Sequence, residues 1–226
     1  MNKSDCKIFL IDDDEEIRQS LALLLGSTGY QVESFISFEE FLEKTNHIGP
    51  GCIILDVILG GKTGLELQTE IEMRFESFPI IFITGHGNIP MSVEALKKGA
   101  INFLEKPIDE RNLINAIEEA LSRSLTLNIK YSEIDKIKSL VSSLTAREYE
   151  IFRHVITGML NKQIASELGI AEHTVKNHRL KITEKLGVKT VPEMIYMADK
   201  LSLRTLIPNN SKYSFLTFSL ILIFYE

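Results

Sequence analysis

The chain has 226 residues, 44% hydrophobic and 25% charged, the balance of a globular protein with enough length for two domains and two cores. Its two cysteines, Cys6 and Cys52, stand in no CxxC or Cys/His spacing, which leaves a disulfide framework or a zinc site without support, and the polar start "MNKSDCK" is no signal peptide, so export is not expected and a reducing cytoplasm is. The net charge of −6 is uneven: residues 1–124 carry 11 Lys and Arg against 21 Asp and Glu, whereas residues 139–207 carry 10 against 7, so an acidic half precedes a mildly basic one and the two suit different partners.

In chain order, "KIFLID" reads as a first strand and "EEIRQSLALLLGSTG" as a helix with apolar residues at helical spacing and a glycine suited to its C-cap. "YQVESF" is a second strand, followed by the helix "SFEEFLEKT", which Ser37 opens as N-cap with Glu40 three residues on, the pattern of a capping box. "CIILDV" is a third strand, buried on both faces, and "GLELQTEIEMR" a helix; "PIIFIT" a fourth strand and "PMSVEALKKG" a helix; "AINFLEK" a fifth strand and "DERNLINAIEEALSRSL" a helix. This rhythm predicts an α/β domain over residues 1–124, a doubly wound five-stranded parallel sheet with right-handed crossovers. Residues 125–140 are polar with scattered apolar positions and read as a linker able to prolong the preceding helix. Beyond it the strand signals stop: "TAREYEIFRHVITG", "NKQIASELG", "AEHTVKNHRLKITEKLG" and "TVPEMIYMADKLSL" are four helices, an all-α domain over 141–207. The tail over 208–226 contains "YSFLTFSLILIFY", 13 residues and too short to cross a bilayer unaided. Docking onto the helical domain or a non-native extension of the reading frame suits it better than membrane association.

In a doubly wound sheet the ligand edge lies at the C-terminal ends of the strands. Asp12 and Asp13 close the first strand, Asp56 the third, Thr84 the fourth and Lys106 the fifth, so five polar residues collect at one edge. Three facing carboxylates repel and call for a cation; an all-oxygen site with room for water and phosphate suits Mg²⁺. An aspartate beside that ion can accept a phosphoryl group as an acyl phosphate, while a lysine neutralises charge on the transferring oxygens. This accounts for the charge that Asp56 places at the end of an apolar run.

In the second half, "NKQIASELGIAEHTVKNHRLKITEKLG" is a helix-turn-helix pattern whose second helix suits the major groove of double-stranded DNA. Ile164, Ala165 and Leu168 mark the inner stripe of its first helix, and Val175, Ile182 and Leu186 that of its second. At about 100° per residue, Asn177, Leu180 and Lys181 lie opposite that stripe and Lys176 at its flank, where they can read base edges. Thr174, His178 and Arg179 sit better for phosphates.

The set "IDDD", "ILDV…GLEL", "FITGHG" and "FLEKP" resembles the receiver domain of two-component response regulators over roughly residues 5–124, and "TGHGNIPMSVEALKKGAINFLEKP" is similar to the FixJ branch. "LTAREYEIF…G…NKQIASELGIAEHTVKNHRLKITEKLGV" resembles the LuxR-type DNA-binding domain of the NarL/FixJ regulators over roughly 141–204. The resemblance implies a flavodoxin-like receiver. Asp12 and Asp13 then hold Mg²⁺ with Asp56 and the backbone carbonyl of Ile58, Asp56 takes phosphate from a sensor histidine kinase, and Thr84 and Lys106 bind the phosphoryl oxygens. Phe103 is the switch ring that moves with Thr84, and Lys106-Pro107 resembles the family's cis peptide. Arg147 and Glu148 are expected to be structural. The family often has proline where Gly60 stands here, followed by Gly61, a pair expected to loosen the loop. The implied protein is a cytoplasmic transcriptional regulator, not an enzyme beyond self-phosphorylation, which forms a homodimer when phosphorylated and binds promoter DNA, with RNA polymerase a further candidate partner. Two rivals are an Mg²⁺-dependent hydrolase, which lacks a second Asp two residues beyond Asp56 because Ile58 stands there, and a membrane-tethered adaptor using the tail.

Overall fold

A computed structural model describes residues 3–45, 47, 49–85 and 89–203; the tail beyond residue 207, and with it the docking expectation, lies outside the described residues. The chain divides into two compact units, residues 1–131 and 132–226.

The first unit opens with a single 3₁₀ turn, Lys3–Asp5, and five strands then form one parallel sheet: β1 (Lys7–Ile11), β2 (Gln31–Phe35), β3 (Gly51–Asp56), β6 (Ile80–Thr84) and β7 (Asn102–Glu105), in the spatial order β2-β1-β3-β6-β7. Helices α1 (Glu15–Ser27), α2 (Phe38–Lys44), α3 (Gly64–Arg74) and α4 (Ile89–Lys97) supply the four crossovers, and α5 (Glu110–Ser142) follows the last strand. The expected doubly wound α/β sheet is therefore present, with its order reversing between β1 and β3.

Strand alternation sorts the apolar residues into two layers. Phe9, Ile11, Ile53, Leu55 and Phe82 face Phe38 and Phe41 of α2, Leu65 and Ile71 of α3 and Ala95 of α4. Ile8, Leu10, Cys52, Ile54, Ile81 and Ile83 face Leu21 and Leu25 of α1 and Leu113, Ile117 and Leu121 of α5. Both cysteines are free thiols of this second layer, and burial pushes the Cys52 thiol far up, so it behaves as a small apolar residue.

Two local features differ from the sequence reading, and a third follows it. Ser37 does cap α2 through the Glu40 amide, but Glu40 Oε2 accepts from Ile36 N at 2.7 Å, one residue before the N-cap. The Gly60-Gly61 pair is the turn of a hairpin that the sequence reading did not include, between β4 (Ile58–Leu59) and β5 (Lys62–Thr63), with φ of 54° and 91°. Two successive positive φ angles are what a two-residue hairpin turn of the primed type requires, and glycine adopts them without strain. Residues 126–139, read as able to prolong the preceding helix, do prolong it and are helical throughout, within the 33 residues of α5.

In the first unit α5 is fastened at Ser124, which is completely buried: its hydroxyl accepts from Gly51 N at 2.9 Å and donates to Ser77 O at 2.6 Å. Gly51 begins β3, so Ser124 satisfies an amide that the ladder leaves over.

The described residues of the second unit are all-α, as expected: α6 (Ala146–Ile156), α7 (Asn161–Leu168), α8 (Glu172–Leu186) and α9 (Val191–Lys200) surround a core of Ile151, Phe152, Val155, Ile164, Val175, Ile182, Leu186, Met194 and Ala198. Ile137 and Val141, from the end of α5, are buried in the same core. Thr145 and Glu148 close a capping box on α6, and Gly169 and Gly187 end α7 and α8 in the left-handed conformation.

Candidate functional site

The order reversal between β1 and β3 leaves a crevice at their C-terminal ends, and the carboxylates lie there. Asp12 follows the last residue of β1 and Asp56 is the last residue of β3. One oxygen each of Asp12, Asp13 and Asp56 falls within 4.8 Å of the others, with Asp12 and Asp56 buried and Asp13 exposed. Lys106 Nζ, just beyond β7, donates to Asp12 Oδ2 at 2.7 Å and to Asp56 Oδ2 at 2.6 Å. The remaining oxygens are oriented by backbone: Asp12 Oδ1 accepts from Asp14 N at 2.9 Å and Asp56 Oδ1 from Ile58 N at 3.0 Å.

Burial drives the Asp12 carboxyl above its ordinary pKa, against the opposing pull of Lys106 and the Asp14 amide. For Lys106 burial works the other way and would deprotonate it, but its hydrogen bonds to the two carboxylates outweigh that and hold the ammonium above its usual value. The site thus gathers three acidic side chains around one cation. The donors are all hard oxygens, two sheltered and one facing solvent, which fits a cation that retains part of its water shell; Mg²⁺ is the ion that chemistry describes.

The other expected residues surround this cluster. Thr84 ends β6, fully buried, and its carbonyl accepts from Lys106 N at 2.7 Å, so the strand end that presents Thr84 also anchors the lysine. The peptide Lys106-Pro107 is cis, as the resemblance implied. Phe103, on the edge strand β7, is half-buried with its ring centroid 6.3 Å from that of Phe82. Ile58 is half-exposed at the start of β4, and Gly60 N reaches Asp13 Oδ2 at 3.4 Å, so the hairpin borders the acidic cluster. Gly64 is needed just beneath: a Cβ there would lie 2.7 Å from the carbonyl oxygen of Asp56.

Two supports were not read from the sequence. Asp14 is the N-cap of α1, its carboxylate accepting from the amides of Glu16 and Ile17, and Arg18 NH1 donates to the carbonyl of Asp12 at 2.6 Å. A run of three aspartates before a helical stretch carried the N-cap signal.

On α8, Lys176, Asn177, Leu180 and Lys181 are exposed, and Val175, Ile182 and Leu186 buried. Thr174, His178 and Arg179 are intermediate, and His178 Nδ1 is buried with no hydrogen-bond partner. Arg179, expected on the phosphate flank, commits NH1 to Asn161 Oδ1 of α7 at 2.6 Å. Arg147 and Glu148 make structural contacts: Arg147 donates to Glu150 and to the carbonyl of Leu168, and Glu148 is buried against Lys185 Nζ at 2.6 Å.

Comparison with known proteins accords with both halves. Residues 8–118 match the response regulator receiver domain and residues 142–198 the bacterial regulatory proteins of the luxR family. The chain is 39% identical over 201 residues to the response regulator protein TmoT of Ectopseudomonas mendocina, covering 89% of this chain and 91% of that one. It is 37% identical over 191 residues to the transcriptional regulatory protein FixJ of Azorhizobium caulinodans, covering 84% and 90%. Among solved structures, the response regulator StyR superposes with a TM-score of 0.73 at 42% identity, covering 87% of this chain and all of that one. Among the described residues, no helix is long and apolar enough to cross a membrane.

Proposed function

Because this chain belongs to the two-component response regulators that join a receiver to a LuxR-type DNA-binding domain, we propose that Asp56 is its phosphoacceptor and that α8 is the helix that reads promoter DNA. The protein is a phosphorylation-dependent, DNA-binding transcriptional regulator. The observation that carries the assignment of Asp56 is its position: a buried carboxylate at the end of β3, held at 2.6 Å by Lys106 beside two further carboxylates.

In the phosphoryl transfer, an Asp56 carboxylate oxygen forms a bond to phosphorus as the bond to the kinase histidine nitrogen breaks, leaving an acyl phosphate. Lys106 then exchanges a carboxylate contact for a phosphoryl oxygen, and the Thr84 hydroxyl is drawn to the same group. Asp12, Asp13, Asp56 and the carbonyl of Ile58 would hold Mg²⁺, which when bound would neutralise charge on the transferring oxygens. Withdrawal of Thr84 vacates space into which the Phe103 ring turns, and the receiver shifts toward its active state. The exposed Ile89, Val93 and Leu96 of α4 are an apolar face suited to pairing with a second receiver. A dimer presents two copies of α8 to two half-sites. Asn177, Leu180, Lys181 and Lys176 reach base edges, while Thr174 and His178 approach phosphates. A sensor histidine kinase is the phosphate donor, the cytoplasm is the compartment, RNA polymerase is a further partner, and the receiver carries no activity beyond its own phosphorylation and dephosphorylation. The domain limits that serve this reading are 1–124, 141–207 and the helical connection between them.

The deciding experiment treats the full chain with acetyl phosphate and Mg²⁺ and follows the acyl phosphate by intact mass, dimerisation by light scattering and retention of promoter fragments. Wild type gains all three; Asp56→Asn gains none. Dimerisation of Asp56→Asn to the wild-type extent would sink the scheme.

A further inference from the structure

We propose that Asn161 and Arg179 form a strut that sets how α8 is seated on α7, which makes Asn161 a positioning residue for sequence recognition although it stands outside the reading helix. The inference rests on the reading of α8 given above. It assigns Arg179 to the protein interior's edge instead of to a DNA phosphate.

The seam between α8 and the rest of its unit is apolar: Val175, Ile182 and Leu186 are buried along it. An apolar seam fixes the distance between helices better than their rotation, because dispersion contacts are individually weak and undirected. At about 100° per residue, Arg179 lies about 40° to one side of Val175, and Lys185 about 80° to the other. Each carries a polar bridge: Arg179 NH1 to Asn161 Oδ1 at 2.6 Å toward α7, and Lys185 Nζ to Glu148 Oε2 at 2.6 Å toward α6. Two directional contacts on opposite flanks hold α8 against rolling about its own axis. Rolling matters because Asn177, Leu180 and Lys181 project from the far side of the helix, and a small rotation there carries their tips off the base edges they address.

Asn161 is the first residue of α7, and Arg179 is only half-exposed, in contrast to the open Lys176 and Lys181. The bond from a guanidinium to a neutral amide oxygen is charge-assisted. Arg179 therefore has both the burial and the partner of a structural cation.

The strut and a direct phosphate contact differ in what they do to salt dependence. Loss of a phosphate contact lowers affinity for every duplex and reduces the slope of log K against log salt by about 1. Loss of the strut lowers discrimination and leaves that slope in place. The test uses the full chain with acetyl phosphate, a duplex that the wild-type chain enriches from a randomised library, and a scrambled duplex of the same length. Asn161→Ala and Arg179→Ala are each expected to lower the ratio of affinities for the two duplexes about tenfold, the double variant no further, with the salt slope unchanged. Asn161→Asp, which keeps an oxygen for Arg179, is expected to retain the wild-type ratio. Native circular dichroism in each variant ties the change to seating, and Asn161→Asp remains a folded test of the strut if an alanine variant does not fold. A reduced slope in Arg179→Ala, additive losses, or equal loss in Asn161→Asp and Asn161→Ala would overturn the strut. Failure of the wild-type chain to enrich any duplex would remove the DNA reading, and this inference with it; enrichment by wild type with an unchanged ratio in Asn161→Ala would remove the inference alone.

Discussion

The Glu148–Lys185 bridge allows a quantitative prediction. Glu148 is 4% exposed, its Oε2 accepts from Lys185 Nζ at 2.6 Å and from Thr145 N at 2.8 Å, and the lysine beside it holds its carboxyl at about 2 against an ordinary 4.5. At about 1.4 kcal/mol per pKa unit the full difference would be about 3 kcal/mol. The Lys185 side chain is 36% exposed, so solvent and salt screen the pair, and the charge contribution is about 1–2 kcal/mol. Glu148→Gln keeps an oxygen for the Thr145 amide and removes only the charge. It should therefore lower hydrogen-exchange protection of amides in α6 and α8 of the full chain about 5- to 30-fold at pH 7. Because the folded pKa is depressed, this stability is present above the unfolded value of 4.5 and is lost as pH falls toward about 2, so wild type and variant should converge across that window. Equal protection at pH 7, or a gap as wide at about pH 2.5 as at neutrality, would refute the reasoning.

Three further outcomes follow from other parts of the molecule. Lys181→Ala should weaken operator binding and reduce the salt slope by about 1, whereas Leu180→Ala should lower discrimination among sequences at a constant slope, both read by fluorescence anisotropy across a salt series. Ser124→Ala leaves the buried Gly51 amide without its acceptor and should cost about 1–3 kcal/mol in urea unfolding of the first unit; a midpoint unmoved from wild type would show that another group takes that role.

The βα rhythm of the first unit was legible because each buried strand is a short unbroken apolar run and each helix carries its own start or stop residue. The acidic crevice was legible for a related reason: strand ends are read directly from those runs, and parallel strands bring their ends to one edge. The β4–β5 hairpin was not, since two-residue strands have no periodicity and only Gly60-Gly61 marks the turn. The helical state of residues 126–139 was legible only as one option for the linker. Their apolar spacing is weak, and tertiary contacts at Ser124 in one unit and at Ile137 and Val141 in the other hold the helix. On α8, the pattern of exposed residues followed from the apolar stripe, but the engagement of Arg179 did not. Asn161 is 18 positions away in another helix, and no local pattern links the two.

The six residues of β3 leave no room for insertion or deletion. Gly51 is tied at one end to the Ser124 hydroxyl and Asp56 at the other to Lys106, while Ile53 and Leu55 point into the aromatic layer and Cys52 and Ile54 into the aliphatic one. Gaining or losing a single residue between them would exchange the two layers' occupants and turn the carboxylate to the opposite side of the sheet. Apolar exchanges between Gly51 and Asp56 that keep the alternation leave the carboxylate in place, whereas a change in the number of residues does not.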